Sequence, residues 1–317
     1  MPRADWLAQE GMQVLLCGTG SGVPARDHAG PCTAVVAGGR LLVVDAGPGS
    51  WKHVALWGLP QEALAGVMLT RLDASTIGDL GEIAVGSWRA GRRTPLPVYG
   101  PPEVGRVVAG LTQAYGPDAD ARLAQHGAER MPPGGARLEA RPLVALRDPE
   151  RVIEEDELSV MAFPLPGEEG RPAVGYRIHF RGRSVAVCGA TQASNALRAA
   201  LEGVELLIHE TQAAHLVEAR AEALARAGRA RDAQLLRDTL GARATPAQAV
   251  ALAREVGAHQ LVLTHLAPPL VAPASVRAFL RGPTEDWKGR VVLGEDGLRF
   301  ALPPGEATIR VGALPGS

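Results

Sequence analysis

The chain has 317 residues, of which 46% are hydrophobic and 21% charged, and its formal net charge at pH 7 is -1. This composition is that of a globular protein with enough apolar residues for a sizeable core, and the small net charge excludes a global field that would attract nucleic acid or anionic lipid. Three widely spaced cysteines exclude a disulfide framework, and no apolar run approaches the ~20 residues of a membrane span. We therefore expect a reduced, cytoplasmic setting.

The amino-terminal part of the sequence predicts short apolar strands joined by glycine-rich turns. Residues 12–17 form the first strand, which runs directly into the turn 18–24. Such a turn exposes backbone amides that can approach an anion, but it lacks the Lys-Ser/Thr of a phosphate-binding loop, so a tight turn is the preferred interpretation. Residues 33–37 and 40–45 flank Gly38-Gly39 and predict a β-hairpin.

A strand and a helix then enclose the loop that is most informative about function. Residues 66–69 predict a buried strand, and Ile77-Gly78-Asp79-Leu80 predicts the first turn of a helix. Residues 116–135 are rich in proline, glycine and charge, and we expect them to form a surface insertion. Between these regions the patterns predict a helix at 81–90, a strand at 95–101 and a helix at 104–115.

The second half repeats the rhythm of strand followed by helix. An Ala/Arg/Glu-rich segment, 213–240, has helical composition and is expected to form a helical arm or a contact between subunits. Strands that alternate with helices in both halves predict an α/β fold. The predicted strands are 158–164, 176–180, 184–189, 204–208 and 260–265 with a final strand pair in 290–300, and the predicted helices are 193–201 and 245–256.

The loop after residue 69, with the motifs around it, resembles the metallo-β-lactamase superfamily, in particular its ribonuclease Z and arylsulfatase branch. In that branch Leu-Thr is followed by His-x-His-x-Asp-His and then by Ile-Gly-Asp-Leu. Here the four ligand positions hold Arg71, Asp73, Ser75 and Thr76. The resemblance implies one αββα four-layer sandwich over residues 1–317, and the family's dimer habit implies a homodimer.

The resemblance also implies two zinc ions at the ends of strands, held by histidines and carboxylates. Arg71 replaces a histidine with a permanent cation that cannot ligate a metal ion. The hydroxyls of Ser75 and Thr76 are poor ligands, whereas Asp73 retains the ability to coordinate. The first metal-binding loop is therefore largely lost.

The later ligand positions that the family implies are changed as well. No histidine precedes Gly175-Tyr176-Arg177, where Glu168 or Glu169 is the remaining substitute. Gly189-Ala190-Thr191 stands where the family has Gly-Asp-Thr, and Arg243-Ala244-Thr245 stands where it has His-Ser-Thr. We therefore expect that the dinuclear zinc site is lost and that no cofactor is bound.

Two late motifs do match the family. His265 falls on its last metal ligand, and His209-Glu210-Thr211 resembles its His-Glu-Ala-Thr string. A purely structural role for Arg71, in an ion pair with Asp73 or Asp79, is the alternative to a catalytic one. In the implied fold the predicted catalytic residues converge on one pocket of mixed charge: Arg71, Asp73, His209, Glu210 and His265. The predicted substrate-binding residues are Ser21, Ser75, Thr76, Thr191 and Arg243.

These observations favour a metallo-β-lactamase-fold protein that has lost its dinuclear zinc and acts without metal on, or binds, a small anionic molecule in the old active-site pocket. One alternative is a metal-dependent phosphodiesterase or esterase with altered ligands such as Asp73, Glu168, His209 and His265. The other is a non-enzymatic scaffold or sensor. Whether the chain is an enzyme stays open, and neither transfer-RNA processing, a nucleic-acid partner nor a membrane partner is expected.

Overall fold

The computed structural model of the protein describes residues 3–23, 25–143, 148–168, 171–192, 194–270, 273–280, 287 and 290–314. The strands in these residues are β1 (Met12–Gly18), β2 (Cys32–Ala37), β3 (Arg40–Val44), β4 (Leu64–Met68), β5 (Leu96–Gly100), β6 (Leu138–Pro142), β7 (Glu150–Glu155), β8 (Leu158–Glu168), β9 (Arg171–Phe180), β10 (Arg183–Cys188), β11 (Leu206–Gln212), β12 (Gln260–Ala267), β13 (Val291–Leu293), β14 (Leu298–Leu302) and β15 (Arg310–Ala313). The helices are α1 (Arg3–Leu7), α2 (Ser50–Leu56), α3 (Ala74–Ile77), α4 (Leu80–Ala90), α5 (Val104–Arg130), α6 (Asn195–Leu201), α7 (Ala214–Arg226), α8 (Ala230–Arg237), α9 (Pro246–Glu255) and α10 (Pro273–Phe279).

The strands form two sheets. The first has eight strands in the order β15-β14-β1-β2-β3-β4-β5-β6, and the second has seven in the order β13-β12-β11-β10-β9-β8-β7. Strands β3 to β6 run parallel in the first sheet, and β10 to β13 run parallel in the second. Each sheet therefore has a parallel half built from strand–helix units, and loops at the carboxyl ends of these strands are where sites form in such folds.

Alternation along the strands explains the four layers. On β1, Val14 belongs to the apolar layer between the sheets, whereas the next residue, Leu15, faces the helices outside. On β11, Ile208 faces the layer between the sheets and Leu207 faces outward. Both faces of these strands are buried, and each fully buried side chain of this size contributes about 1.5–3 kcal/mol. Helices α2, α4 and α5 cover the first sheet and α6, α9 and α10 the second, which confirms the predicted αββα sandwich.

Helix α9 shows how the sequence defines one element locally. The Thr245 side chain accepts a hydrogen bond from the backbone N–H of Gln248, and the Gln248 side chain accepts one from the backbone N–H of Thr245. Pro246 occupies the first helical position, where its missing N–H costs no hydrogen bond. The start of this helix was correctly predicted.

The fifth helix is longer than the sequence pattern predicts. Instead of ending at residue 115, α5 continues through Pro117 to Arg130, with a non-helical φ of 76° at Gly127. The residues around Pro117 are exposed or half-buried, so that water can satisfy the carbonyl that proline leaves unbonded, and alanines at 119, 121 and 124 favour the helix. Most of the expected surface insertion at 116–135 is therefore helix.

The predicted strand pair at 290–300 is wrong as a pair. Strand β13 joins the second sheet beside β12, whereas β14 joins the first sheet between β1 and β15. The chain crosses over at two glycines: the Gly294 N–H donates to Leu263 O of the second sheet, and the Gly297 N–H donates to Leu16 O of the first. Strands β6, β7 and β15 were not predicted, and residue 193 of the predicted helix 193–201 lies outside the described residues.

The Ala/Arg/Glu-rich segment 213–240 forms α7 and α8, which agrees with its predicted helical composition. Among the helices of the described residues, none is long and apolar enough to cross a membrane.

Candidate functional site

The two sheets meet closely at the carboxyl ends of their parallel strands. The Tyr176 hydroxyl on β9 donates to Leu69 O after β4 at 3.0 Å, and the Val174 N–H donates to Thr70 O at 3.0 Å. Gly189, after β10, approaches so closely that a Cβ there would lie 2.9 Å from Thr70 Oγ1. The loops after β4 and β10 are thus held together, and the site residues lie on them and on the neighbouring strand ends.

Glu210 on β11 is the centre of the site. Its side chain is 1% exposed, and its Oε2 accepts a hydrogen bond from Arg71 Nη1 at 2.8 Å. Arg243 Nε donates to the other oxygen, Oε1, and His265 Nδ1 lies 3.2 Å from Oε2. Burial alone would raise the pKa of the Glu210 carboxyl, but the two guanidiniums and the contact with His265 hold it well below its usual range. Glu210 is therefore ionised.

Arg71 also bonds the loop that precedes α3. Its Nε donates to Asp73 Oδ2 at 3.0 Å, and Asp73 Oδ1 accepts from the Ser75 N–H at 3.0 Å as the N-cap of α3. Burial disfavours the Arg71 cation, yet Glu210 and Asp73 outweigh burial and raise its pKa further. Burial likewise acts against the Asp73 carboxylate, but Arg71 and Ser75 lower its pKa overall. The Arg71–Asp73 pair expected from the sequence is present.

The other acidic partner proposed for Arg71 has a different role. Asp79 Oδ2 accepts a hydrogen bond from the Trp51 N–H at 2.9 Å. The Thr76 hydroxyl donates to Arg71 O at 2.9 Å, so Thr76 stabilises the conformation of the loop. Thr76 is fully buried, and Ser75 is held by Asp73. The contacts of these two predicted substrate-binding residues are thus contacts within the loop.

Asp45, at the end of β3, is a site residue that the sequence reasoning did not select. Its side chain is 1% exposed, its Oδ1 accepts from the Thr70 N–H at 2.8 Å, and its Oδ2 accepts from the Thr70 hydroxyl at 2.8 Å. Burial raises the pKa of Asp45 to about 6, although His265 and Arg71 act in the opposite direction. The Asp-x-Gly string at the end of a predicted strand was the available indication.

His209 lies apart from the other predicted catalytic residues. Alternation along β11 directs it to the same side as Leu207, whereas Glu210 shares the side of Ile208. Its Nδ1 lies 2.7 Å from the backbone oxygen of Glu210, and within the described residues its buried Nε2 has no hydrogen-bond partner. Burial lowers the pKa of His209, which favours the neutral ring.

Thr191 and Ser21 occupy the margins of the site. Thr191 is buried, and its backbone oxygen accepts from the Ala244 N–H at 3.0 Å, next to Arg243. Ser21 accepts from the Val23 N–H at 3.3 Å within the glycine-rich turn, and it lines a second, small cavity together with His28 and Leu266. Of the ten predicted site residues, the structure brings together Arg71, Asp73, Glu210, Arg243 and His265.

A cavity of roughly 330 Å³ opens beside this cluster. Arg71 and Arg243 line it from the side of Glu210, and Arg171 and Ala190 line it as well. Two carboxylates, Asp73 and Glu103, complete a lining of mixed charge. The cavity is large enough for a phosphate group with part of its substituents, and its guanidiniums provide N–H donors that suit phosphate oxygens.

The described donors do not fit the dinuclear zinc centre that the family implies. Within the part of the chain that the structure describes, no group of three or more His, Cys, Asp or Glu side chains is arranged to hold a metal ion. Arg71 instead places a permanent positive charge between Glu210 and Asp73. The side chains of Glu168 and Glu169, named above as substitute ligands, lie outside the described residues.

A second cluster, also missed from the sequence, holds the glycine-rich turn after β1. Asp296, between β13 and β14, accepts hydrogen bonds from the Thr19 N–H at 2.8 Å, the Thr19 hydroxyl at 2.7 Å and the Ala29 N–H at 2.7 Å. His28 Nδ1 lies 2.8 Å from Thr19 Oγ1, and the Asp296 carboxylate, whose Oδ1 is 3.7 Å from His28 Nδ1, is the main reason why the pKa of His28 is raised. Asp296 is 277 positions from Thr19, so no local pattern could have indicated this contact.

The sequence of the chain is similar to those of known proteins along most of its length. A family model described as "Beta-lactamase superfamily domain" matches residues 40–266. A protein named Ribonuclease Z from Mycolicibacterium paratuberculosis is 30% identical over 298 residues, which covers 90% of this chain and 96% of that protein. Another, from Mycobacterium bovis, is 28% identical over 296 residues, with 92% and 99% coverage.

Solved structures agree on the fold. The short form of human tRNase Z has a TM-score of 0.62 at 16% identity and covers 96% of this chain and 99% of its own. The metallo-β-lactamase fold protein YhfI from Bacillus subtilis has a TM-score of 0.62 at 19% identity, with 93% and 100% coverage. At these identities the likeness shows the fold alone.

Proposed function

This chain belongs to the β-lactamase superfamily and, within it, to the ribonuclease Z branch, and on that premise we propose that it is a hydrolase of phosphodiester bonds in RNA. The observation that carries the proposal is the extent of the similarity. Proteins named Ribonuclease Z align with nearly all of this chain and nearly all of their own length. Because one of the similar solved structures is named tRNase Z, a transfer-RNA precursor is the first substrate to test.

The sequence-based expectation of metal-free action on a small anionic molecule is wrong. The Ribonuclease Z relatives overturn it, because their names denote nucleases and their similarity extends over the whole fold. The sequence reasoning gave too much weight to Arg71, Ala190 and Arg243 and too little to the length of the resemblance. The alternative interpretation, a hydrolase of the phosphodiesterase type, agrees better with these relatives.

The geometry of the site supports a phosphodiester as the substrate. Arg71 and Arg243 both line the cavity, and Glu210 fixes the orientation of both guanidiniums. Guanidinium N–H groups bind phosphate oxygens strongly and with defined geometry. Asp45, whose pKa burial raises to about 6, is held by Thr70 and is not one of the described residues that line the cavity, and His265 lies beside Glu210. The two arginines can position a phosphate.

The test is cleavage of a labelled transfer-RNA precursor that carries extensions at both ends. The purified chain is assayed untreated, after EDTA, and with added Zn²⁺ or Mn²⁺, and product lengths locate the cleaved bond. We expect cleavage in at least one arm, and a loss on the order of 100-fold in Glu210→Gln, because the two guanidiniums lose the anion that orients them. The control is Glu129→Gln, which changes an exposed glutamate on α5.

Lack of cleavage in every arm, with the protein folded, refutes the proposed function. If EDTA abolishes cleavage and one added metal restores it, the activity requires that metal. Ligands beyond the described His, Cys, Asp and Glu side chains would then have to help bind it. A homodimer, a cytoplasmic location and the absence of bound zinc, all expected from the sequence, stay predictions. Light scattering and elemental analysis of the same preparation test the first and the third.

A further inference from the structure

The tip of the α7–α8 hairpin carries a cluster of exposed arginines. The two helices are joined through Gly228, whose φ of 76° is the left-handed conformation that glycine favours. The arginine cluster consists of Arg226, Arg229 and Arg231, which lie within six residues and are all exposed. No acidic residue lies among them, and the neighbouring Asp232 is paired with Arg229. In a chain with a net charge of -1, this is a local concentration of positive charge.

Side-chain contacts hold the hairpin in place at its base. Arg237 Nε on α8 donates to Glu218 Oε1 on α7 at 2.9 Å, which ties the two helices together. Gln212 Nε2, at the end of β11, donates to Thr239 Oγ1 at 2.8 Å, which ties the hairpin to the sheet. The buried residues of the hairpin are few and small, namely Val217, Ala221 and Ala233. The tip is therefore presented to solvent on a supported base.

The base of the hairpin lies beside the candidate site. Helix α7 begins two residues after β11, the strand that carries Glu210. After α8 the chain returns to the cavity, where Gly241 O accepts a hydrogen bond from Gln192 Nε2 and where Ala242 and Arg243 form part of the lining. With 13 residues at ~1.5 Å each, α7 carries the arginine cluster about 20 Å from its base.

We propose that the arginine cluster binds the phosphate backbone of the RNA substrate at a distance from the bond that is cleaved. This inference rests on the proposed function. Within the described residues Arg226 and Arg231 form no ion pair, so their charges are available to a partner. Exposed arginines on a supported element contact phosphates without reading sequence. An RNA can span the cavity and the tip, whereas a small phosphodiester cannot.

The test compares two variants with the same change in charge. Arg226→Gln/Arg231→Gln removes two charges from the cluster. Arg93→Gln/Arg130→Gln removes two exposed arginines, one just before the amino-terminal end of β5 and the other at the carboxyl end of α5, whereas the site lies at the carboxyl ends of the strands. Fluorescence anisotropy measures the affinity of each protein for the labelled transfer-RNA precursor over a series of KCl concentrations, under conditions without cleavage. Hydrolysis of bis(p-nitrophenyl) phosphate, which is too small to reach the tip, is measured in parallel.

We expect the cluster variant to bind the RNA on the order of tenfold more weakly at low salt, with a salt slope reduced by roughly 1.4, which is about 0.7 for each lost phosphate contact. We expect the cluster variant to hydrolyse the small diester at the wild-type rate. We expect the control variant to bind the RNA with wild-type affinity. Wild-type affinity and salt slope in the cluster variant refute this inference while leaving the proposed function intact. Failure of the wild type to bind or cleave RNA refutes the proposed function and, with it, this inference. A changed oligomeric state with unchanged RNA affinity assigns the tip to a subunit contact and also overturns the inference.

Discussion

Arg71 and Glu210 form an ion pair that joins the two sheets, with 2.8 Å between Nη1 and Oε2. The residues are 139 positions apart, one after β4 and the other on β11. The side chain of Glu210 is 1% exposed and that of Arg71 is 13% exposed, so water screens the pair weakly. Because Arg243 holds the second oxygen of Glu210, two loops of the site, the one after β4 and the one before α9, depend on one carboxylate.

Replacing Glu210 by glutamine leaves two guanidiniums facing a neutral amide. We expect the free energy of unfolding to fall by about 3 kcal/mol at pH 7, because breaking a buried ion pair leaves its partners without compensation. Urea unfolding monitored by circular dichroism measures this value. Glu129→Gln, on the exposed surface of α5, is the control and should change it by no more than about 0.5 kcal/mol.

The same variant has a defined dependence on pH. The folded-state pKa of Glu210 lies well below its unfolded value, so its contribution is fully present above the unfolded pKa and is lost as pH falls through the folded pKa. The stability difference between wild type and Glu210→Gln should be constant near neutral pH and should shrink below about pH 4. A difference that grows on acidification contradicts the ion pair as described.

Asp45 should have the opposite pH dependence. Burial raises its pKa from 3.8 to about 6, so its contribution to stability is fully present below the unfolded pKa of 3.8 and is lost as pH rises through 6. At ~1.4 kcal/mol per pKa unit, the loss amounts to about 3 kcal/mol. Asp45→Asn keeps an acceptor for Thr70 and removes the titration.

The stability of Asp45→Asn relative to wild type should therefore increase by about 3 kcal/mol between acidic and neutral pH. Chemical denaturation across this range measures the change. The matched control is Asp27→Asn, because Asp27 is exposed. A pH-independent difference would show that Asp45 keeps its ordinary pKa in the folded protein.

Gly189→Ala tests the close approach of the two sheets. The added Cβ would meet Thr70 Oγ1 at 2.9 Å and Thr70 Cβ at 3.0 Å, so the loops after β4 and β10 must separate. We expect a loss of about 1–3 kcal/mol in the free energy of unfolding, with Tm falling accordingly. Gly110→Ala on α5 has nothing within 4 Å of the new methyl and should stabilise the helix by about 0.5–1 kcal/mol. Equal Tm values for the two variants would contradict the contact.

Asp296→Ala tests the cluster that holds the glycine-rich turn. The substitution removes the acceptor for the Thr19 N–H, the Thr19 hydroxyl and the Ala29 N–H. Hydrogen bonds to a charged group contribute about 1.5–3 kcal/mol each, so amide exchange at Thr19 and Ala29 should become at least about tenfold faster. Hydrogen–deuterium exchange with peptide resolution measures this. Unchanged protection there, compared with Asp27→Asn, would show that other contacts hold the turn.

The fold could be predicted because its indications are local. Alternating or continuous apolar runs marked most strands, and Thr245 with Gln248 marked the start of α9. The misses have physical reasons. Strand β7 is exposed or half-buried and rich in charge, so it lacks the apolar pattern of a core strand. Strands β13 and β14 are adjacent in sequence, and nothing local shows that the chain changes sheets between them.

The site was predictable only in part, for a related reason. Arg71, Asp73, Glu210, Arg243 and His265 were selected because family motifs mark their positions, and the structure brings them together. Asp45 and Asp296 were missed, because their roles depend on partners that are distant along the chain or on complete burial. The direction of His209 follows from strand alternation once the buried faces of β11 are known.

The pairing of β14 with β1 has a consequence for the order in which the chain folds. Arg299 on β14 donates to Gln13 on β1, 286 positions earlier in the sequence. A nascent chain emerging from the ribosome can therefore build its second sheet while β1 still has one edge without a partner. Unpaired apolar edges invite association with other chains, and long-range pairing is slow. We expect partially synthesised chains to need protection by chaperones until residues 298–302 are available.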